Sequence, residues 1–348
     1  MARSPINLSG KSVDWRKSLR ANNRKTYMVM GLFFFIYFAL GMLVDTYMVI
    51  ELYPNAPLST VVFLLITFKI FPIATVVMLT IAGISLFVTI TLNNRLMLLG
   101  TEYREINPNT AKTFAEKQLY NIVEELKIAA GLRYMPKVFI IQANYMNAFA
   151  SGYSEKSAMV AITEGLMQKL NRSELQAVMA HEISHIRHLD IKLTLVASLL
   201  ANLMIMVLDM FFYQAMFGGR RSNDDRKNML AAVIMVLRYL LPIINVLLLL
   251  YLSRTREYMA DAGCVELLRD NQALASALLK ISGDYVTHHD EYSAVSQQTS
   301  HENVRREAYI FDPASAGIKG FVSVSDMFST HPNIKDRLAA LGFKYNDK

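Results

Sequence analysis

The feature that most constrains this chain is a set of long apolar segments. Residues 27–44 contain no charged residue and are about as long as the shortest helix that crosses a bilayer. Further apolar stretches lie at residues 58–92, 193–217 and 229–252. Charged residues make up 19% of the 348-residue chain, below the roughly 25% of ordinary soluble domains. The sequence therefore predicts a mainly α-helical membrane protein.

The first two stretches predict a transmembrane hairpin at residues 27–94. We expect Asp45 to end the first span and residues 45–60 to form a short acidic loop on the non-cytoplasmic side. Lys69 and Pro72 interrupt the longer stretch, so the second span is predicted at residues 72–92, with residues 58–71 as an interfacial or tilted extension.

The N-terminal segment, residues 1–26, carries seven basic residues and one acidic residue. A nucleic-acid-binding protein spreads its basic residues over a binding face. Here they lie next to the first apolar run, where the positive-inside rule places them on the cytoplasmic side. The pattern predicts membrane topology and no nucleic-acid partner, with a cytoplasmic N-terminus. The single cysteine, Cys264, permits no internal disulfide and fits a reducing compartment.

A second hydrophobic hairpin is predicted at residues 191–252. Each arm is long enough to span but carries a charge, Asp209 in one and Arg238 in the other. The connecting loop at residues 218–228 is basic, which opposes an outside location. The lengths favour spanning; the alternative is a hairpin that dips into the membrane or packs on the soluble domain.

The remainder, residues 95–348 without this hairpin, reads as a soluble domain with a small β-sheet. We predict a helix at 113–130, strands at 137–142 and 158–163, and a helix that Asn171 opens and that runs through residue 189. Residues 283–316 are polar and are predicted to form a mobile insertion.

The sequence His181-Glu182-Ile183-Ser184-His185 fits the H-E-x-x-H pattern. Two imidazoles four residues apart share one helix face and can bind one Zn²⁺. Glu182 flanks that face and can take a proton from a zinc-bound water. His188 is too far from His181 along the axis to share the ion, and we expect it at the surface or behind a ligand.

A third ligand has to come from another segment. Glu257 and Asp261 lie four residues apart on a predicted helix and share a face. Glu257 can complete a His₂Glu site, and Asp261 can accept the second N–H of a ligand imidazole. A solvated acidic face explains the spacing equally well, because Arg254 and Arg256 lie nearby.

The H-E-I-S-H motif, the downstream Glu-x-x-x-Asp and the N-terminal hairpin together resemble the HtpX-type membrane proteases, bacterial relatives of the prenyl-protein (CAAX) processing proteases. The resemblance implies a gluzincin-like (HExxH…E) catalytic domain. It implies that His181, His185 and Glu257 bind one Zn²⁺ per subunit, that Glu182 is the catalytic base, and that Asp261 orients a ligand.

Two further segments carry the resemblance. Residues 147–150 resemble the family's N-A-F-A strand, which implies an edge strand that pairs with substrate backbone, with Asn147, Ala148 and Phe149 as substrate-binding residues. Residues 329–332 with Arg337 resemble its C-terminal T-H-P signature. There His331 is implied as an oxyanion stabiliser or a blocking fourth ligand, with a capping loop residue as the alternative.

These features together predict a zinc-dependent endopeptidase in the bacterial inner membrane, multi-pass, with its active site at the cytoplasmic face. The resemblance implies misfolded or damaged membrane proteins as substrates, in protein quality control and stress response. Polar residues flank the motif, which argues against an intramembrane protease. Glu182 argues against a zinc-bound scaffold, which needs no base. Lys69, Asp209 and Arg238 form no readable transport pathway.

Overall fold

The computed structural model describes residues 15–53, 55–189, 205, 209, 225–288, 292, 310 and 332–343. The helices in this part of the chain are α1 (Trp15–Leu52), α2 (Leu58–Ile66), α3 (Ile73–Leu98), α4 (Phe114–Ala130), α5 (Glu164–Lys169), α6 (Arg172–His188), α7 (Asp225–Leu268), α8 (Gln272–Thr287) and α9 (Ile334–Ala340). The strands are β1 (Tyr103–Ile106), β2 (Lys137–Ile141), β3 (Ala148–Ser151) and β4 (Met159–Thr163). A mostly helical chain with a small sheet is confirmed.

The chain divides into two compact units. One comprises Arg24–Thr91 and Leu195–Leu249, and the other comprises the remaining segments, including Leu92–Thr194 and Leu250–Lys348. Within the described residues, Met30–Ile50 is the one helical stretch that is long and apolar enough to cross a membrane. The apolar stretches Ile73–Val88 and Met235–Ile244 are shorter.

The predicted end of the first span at Asp45 is wrong. Helix α1 continues to Leu52, and Asp45 lies buried inside it. Its carboxylate accepts hydrogen bonds from the backbone N–H groups of Ala74 and Thr75, at 2.8 and 2.9 Å, and from the Thr75 hydroxyl at 2.7 Å. Asp45 therefore satisfies the N-terminal amides of α3, which a helix leaves without partners, instead of being solvated in a loop.

The second arm of the predicted hairpin and the segment that contains Glu257 form one continuous helix, α7, with Pro242 in its interior. Most of the first arm lies outside the described residues. Asp209 is described, and its Oδ1 accepts a hydrogen bond from Arg238 Nε at 2.7 Å. The two charges that counted against spanning therefore neutralise each other.

The sheet has four strands in the order β1-β2-β4-β3. Strands β2 and β4 are parallel, and β1 and β3 flank them antiparallel. The predicted strands at 137–142 and 158–163 are confirmed by β2 and β4. Strand β1 was not predicted because it includes the charged residues Arg104 and Glu105 and is largely exposed, so it lacks an apolar pattern.

Helix α6 is the centre of the core of the second unit. Its N-terminus is a capping box: the Asn171 side chain accepts the Glu174 N–H, and the Glu174 side chain accepts the Asn171 N–H. Helix α6 is buried on almost all sides, between the sheet and helices α4 and α8. Arg187 and His188 are both buried, so of the two locations predicted for His188 the surface is excluded; His188 Nδ1 donates to the Ser184 carbonyl at 2.8 Å.

The predicted polar insertion at 283–316 is wrong at its start. Helix α8 continues to Thr287, since Tyr285 extends the apolar stripe of Leu278 and Ile281 and is buried. Tyr292 and Ile310 are buried as well. The other residues of this segment from 289 onward, including His289 and His301, lie outside the described residues.

Candidate metal centre

Three side chains from two helices bring their ligand atoms together. The Nε2 atoms of His181 and His185, on α6, are 3.2 Å apart. Glu257, on α7, places Oε2 at 3.6 Å from His181 Nε2 and Oε1 at 3.6 Å from His185 Nε2. His181 is fully buried and Glu257 nearly so, whereas the His185 side chain is 12% exposed. The structure thus brings together the three residues predicted as metal ligands.

These distances fit a zinc ion. Ligand atoms at about 2.0–2.1 Å from a tetrahedral centre are separated by roughly 3.3 Å. The two histidine nitrogens are 3.2 Å apart, close to this value, and each lies 3.6 Å from a different oxygen of Glu257. The donor set is two imidazoles and one carboxylate, whose ligand atoms all lie within 4.8 Å of one another. Such a set leaves the fourth position of a tetrahedral site open, as in catalytic rather than structural zinc sites.

Gly263 allows α7 to approach α6 closely enough to form this site. A Cβ at Gly263 would lie 2.9 Å from Ser184 Cβ and 2.5 Å from Ser184 Oγ. Ser184 occupies the turn between the two histidines, and its hydroxyl donates to the Ala180 carbonyl at 2.9 Å. Any larger residue at 263 would push Glu257 and Asp261 away from the histidines.

Asp261 orients His181. Its Oδ1 lies 3.0 Å from His181 Nδ1, so the imidazole donates from Nδ1 and presents Nε2 towards Glu257. Burial would raise the pKa of Asp261, but the Arg337 guanidinium and the His181 hydrogen bond outweigh it and lower that pKa. Asp261 is therefore an anion within the core.

Arg337 supplies the compensating positive charge. It is 1% exposed and donates from Nε and Nη2 to the two oxygens of Asp261, at 3.0 and 2.7 Å. Its Nη1 lies 3.5 Å from Glu257 Oε2. The sequence analysis includes Arg337 only as part of the C-terminal signature. Two buried carboxylates, at 257 and 261, need a buried cation to balance their charge, and this need could have indicated a partner such as Arg337.

The protonation of His181 depends on the same carboxylates. Burial alone would lower its pKa, but the hydrogen bonds to Asp261 and Glu257 raise it to about 9. A histidine ligand has to be neutral, so metal binding displaces a proton from this imidazole at neutral pH.

Glu182 lies in the same helical turn and is buried. Among the described residues, no donor makes a hydrogen bond of normal geometry to either of its carboxylate oxygens. Burial raises its pKa, and this outweighs the charges of His181 and His185 and the nearby Ala150 N–H, all of which favour the ionised form. A carboxylate with a raised pKa is a better proton acceptor near neutral pH.

Strand β3 lies at the edge of the sheet beside Glu182. The Asn147 side chain accepts the Ala148 N–H at 2.9 Å, and Phe149 is buried in the apolar cluster on the sheet face opposite α6. The backbone N–H near Glu182 belongs to Ala150, the last residue of the predicted N-A-F-A segment. His331 lies outside the described residues.

The fold and the site together define a class of protein. A helix with H-E-x-x-H, a glutamate ligand from a second helix and a buried carboxylate within the motif are the elements of a metal-dependent hydrolase. Comparison with known proteins identifies the family: residues 114–343 match the model of peptidase family M48, and the chain belongs to this family. It is a membrane-associated metalloprotease, and the predicted resemblance is confirmed.

The chain is similar over most of its length to several bacterial proteins named "Protease HtpX homolog". It is 39% identical to the one from Helicobacter pylori (strain Shi470), over 94% of this chain and 98% of that protein. It is 32% identical to the one from Streptococcus uberis, over 93% of this chain and 98% of the relative. The crystal structure of S. mikatae Ste24p shares the fold at 17% identity with a TM-score of 0.50, over 91% of this chain and 66% of that chain.

Proposed function

We propose that this chain is a zinc-dependent endopeptidase that cleaves misfolded or damaged membrane proteins at the cytoplasmic face of the bacterial inner membrane. The observation that carries the proposal is Glu182, a buried carboxylate beside the His181, His185 and Glu257 group with neither oxygen satisfied by the described residues. A purely structural metal site has no use for such a group. A catalytic metal site uses such a carboxylate as its general base.

The proposed roles follow from the contacts. His181, His185 and Glu257 hold one zinc ion, which when bound would polarise the scissile carbonyl and lower the pKa of a bound water to about 7. Glu182 accepts the proton of the attacking water and delivers it to the leaving amine. Asp261 holds His181 in the tautomer that presents Nε2. The Ala150 backbone pairs with the substrate, and His331 is the proposed oxyanion donor.

The membrane location rests on four observations. Met30–Ile50 is long and apolar enough to span, and Glu257 follows the apolar stretch Met235–Ile244 within the same helix. The basic residues before the first span favour a cytoplasmic N-terminus. The Asp209–Arg238 ion pair lowers the cost of placing these two charges in a membrane, which supports a spanning second hairpin and a multi-pass arrangement.

The test is Glu182→Gln in the full-length protein, purified in detergent and loaded with zinc. We expect about one zinc per chain in both forms and loss of cleavage of an unfolded membrane protein in the variant, by at least about 100-fold. Glu125→Gln, an exposed carboxylate on α4, is the matched control and should cleave normally. Cleavage by the Glu182 variant at the normal rate would disprove the mechanism, and equal cleavage of folded and unfolded substrates would disprove the substrate class.

A further inference from the structure

Ile310 lies against the edge strand of the sheet. Its backbone N–H donates to the Ala148 carbonyl at 2.9 Å, and its own carbonyl accepts from Arg337 Nη1 at 2.8 Å. Its side chain is 1% exposed and belongs to the same apolar core as α6 and α8. Ile310 is thus held on both sides of its backbone and by its side chain.

The position of this contact follows from the alternation of strand β3. The Asn147 carbonyl accepts the Thr163 N–H at 3.0 Å, so the main chain of residue 147 faces β4. Successive residues of a strand point their backbone groups in opposite directions. The main chain of Phe149 therefore faces β4 as well, and the main-chain groups of Ala148 and Ala150 face the open edge.

Ala150 is the outward-facing residue beside Glu182, so a substrate strand at the catalytic carboxylate pairs there. The next outward-facing residue in one direction is Ala148, about 7 Å along the strand. Its carbonyl is already taken by Ile310. In the other direction β3 ends at Ser151. Among the described residues, Ala150 is the outward-facing residue of this strand whose carbonyl has no backbone partner, and its N–H lies near Glu182.

We propose that Ile310 is a fixed end wall of the substrate cleft, which stops backbone pairing between substrate and β3 at Ala150. This proposal rests on the proposed endopeptidase function. Ile310 is anchored through Arg337 to Asp261, within the scaffold that orients His181. A residue that is tied to the metal-site scaffold and buried in the core is a permanent boundary and not a plug that leaves when substrate arrives.

The wall has a consequence for substrate length. Towards Ile310, a peptide gains backbone contacts only up to the residue that pairs with Ala150. Adding residues on that side then brings no further affinity from the strand. On the opposite side of the scissile bond no such wall is present among the described residues, so longer peptides continue to gain contacts. The enzyme should therefore respond to substrate length on one side only.

The experiment measures binding, so that it does not depend on turnover. Fluorescent peptides with one fixed central sequence are lengthened one residue at a time towards either end. Their affinity for full-length, zinc-loaded Glu182→Gln protein is measured by fluorescence anisotropy. A substrate residue that paired with Ala148 would lie two residues beyond the one that pairs with Ala150. We expect affinity to stop increasing before that residue on one side and to continue increasing on the other.

Two variants in the same background identify Ile310 as the cause. Ile310→Pro removes the N–H that occupies the Ala148 carbonyl. Adding the substrate residue that pairs with Ala148 should then raise affinity about 5- to 10-fold, which is the contribution of one hydrogen bond. Ile310→Ala keeps the N–H and should keep the one-sided profile, whatever its absolute affinity. Because each comparison is a ratio within one variant, partial loss of folded protein does not alter it.

Other outcomes overturn the proposal. If affinity rises equally on both sides in the parent protein, Ile310 is no wall. If Ile310→Pro tightens the shortest and longest peptides by the same factor, Ile310 is a displaceable inhibitor. Cleavage of the same peptides by the protein with Glu182 intact is a separate measurement: its absence would disprove the proposed function while the binding profile still decides on the wall.

Discussion

Arg337 holds Asp261 through both carboxylate oxygens, with Nε at 3.0 Å from Oδ2 and Nη2 at 2.7 Å from Oδ1. The same Oδ1 accepts the Nδ1–H of His181 at 3.0 Å. One carboxylate thus connects a guanidinium in the last turn of α9 to a metal-ligand imidazole on α6. Because all three groups are buried, the charges are balanced locally and not by water.

Breaking this connection should cost both stability and metal affinity. Arg337→Met leaves the Asp261 anion buried without its partner, and we expect a loss of about 3–5 kcal/mol in unfolding free energy. Asp261→Asn should weaken zinc binding about 10- to 100-fold because His181 loses its acceptor. The double variant should lose less stability than the sum of the two single variants, as measured by chemical denaturation in detergent. Strict additivity would show that the pair does not act as a unit.

Glu257 is the ligand that the H-E-x-x-H motif does not supply. Glu257→Ala should reduce zinc affinity by more than the roughly 10- to 100-fold typical of losing an outer partner, since a direct donor is removed. Metal analysis after dialysis against a zinc buffer measures this, with Glu125→Ala as the exposed control. Unchanged zinc affinity in Glu257→Ala would remove Glu257 from the ligand set.

The close approach of α7 to α6 depends on Gly263. Gly263→Ala places a Cβ 2.9 Å from Ser184 Cβ, so the helices have to separate. We expect a loss of about 1–3 kcal/mol in stability, with weaker zinc binding because Glu257 moves. Gly283→Ala in α8 is the matched control: its Cβ meets open space, and the change should be neutral or stabilise by up to about 1 kcal/mol. Equal behaviour of the two variants would exclude the steric argument.

Glu116 should make stability depend on acid pH. Its hydrogen bond from Arg104, opposed by burial and aided by the backbone N–H groups of Lys112 and Thr113, lowers its pKa from 4.5 to about 2. A lowered folded-state pKa stabilises the protein above the unfolded value, and this contribution is lost as pH falls from about 4.5 towards 2. The difference in melting temperature between the parent and Glu116→Gln should therefore be largest above pH 5 and shrink below pH 4. A constant difference would contradict the pairing.

The fold could be predicted where local sequence signals act alone. The capping boxes at Thr113 and Asn171 and the left-handed Gly131 fixed the ends of α4 and the start of α6. The prediction failed at Asp45, where a charge suggested a loop. Its partners, the amides of α3, lie about thirty residues further along the chain, and no local pattern reveals such a contact.

The site could be predicted in part for a related reason. The histidine spacing on one helix follows from helix geometry, so the arrangement of His181 and His185 was accessible from the sequence. Arg337 and Ile310 act through tertiary contacts with α7 and β3, and neither belongs to a periodic pattern. Glycine at 263 likewise has a function only once the two helices are packed together.

The order of these residues along the chain has a consequence for biogenesis. Glu257 and Asp261 follow the second hydrophobic hairpin, and their counter-charge comes from Arg337. While the ribosome has not yet passed residue 337, a nascent chain lacks the guanidinium that pairs with these carboxylates, and Asp261 lacks the partner that holds it against His181. The protease therefore becomes competent in one late step, after its hydrophobic segments have been synthesised. We expect chains that end before residue 337 to be inactive.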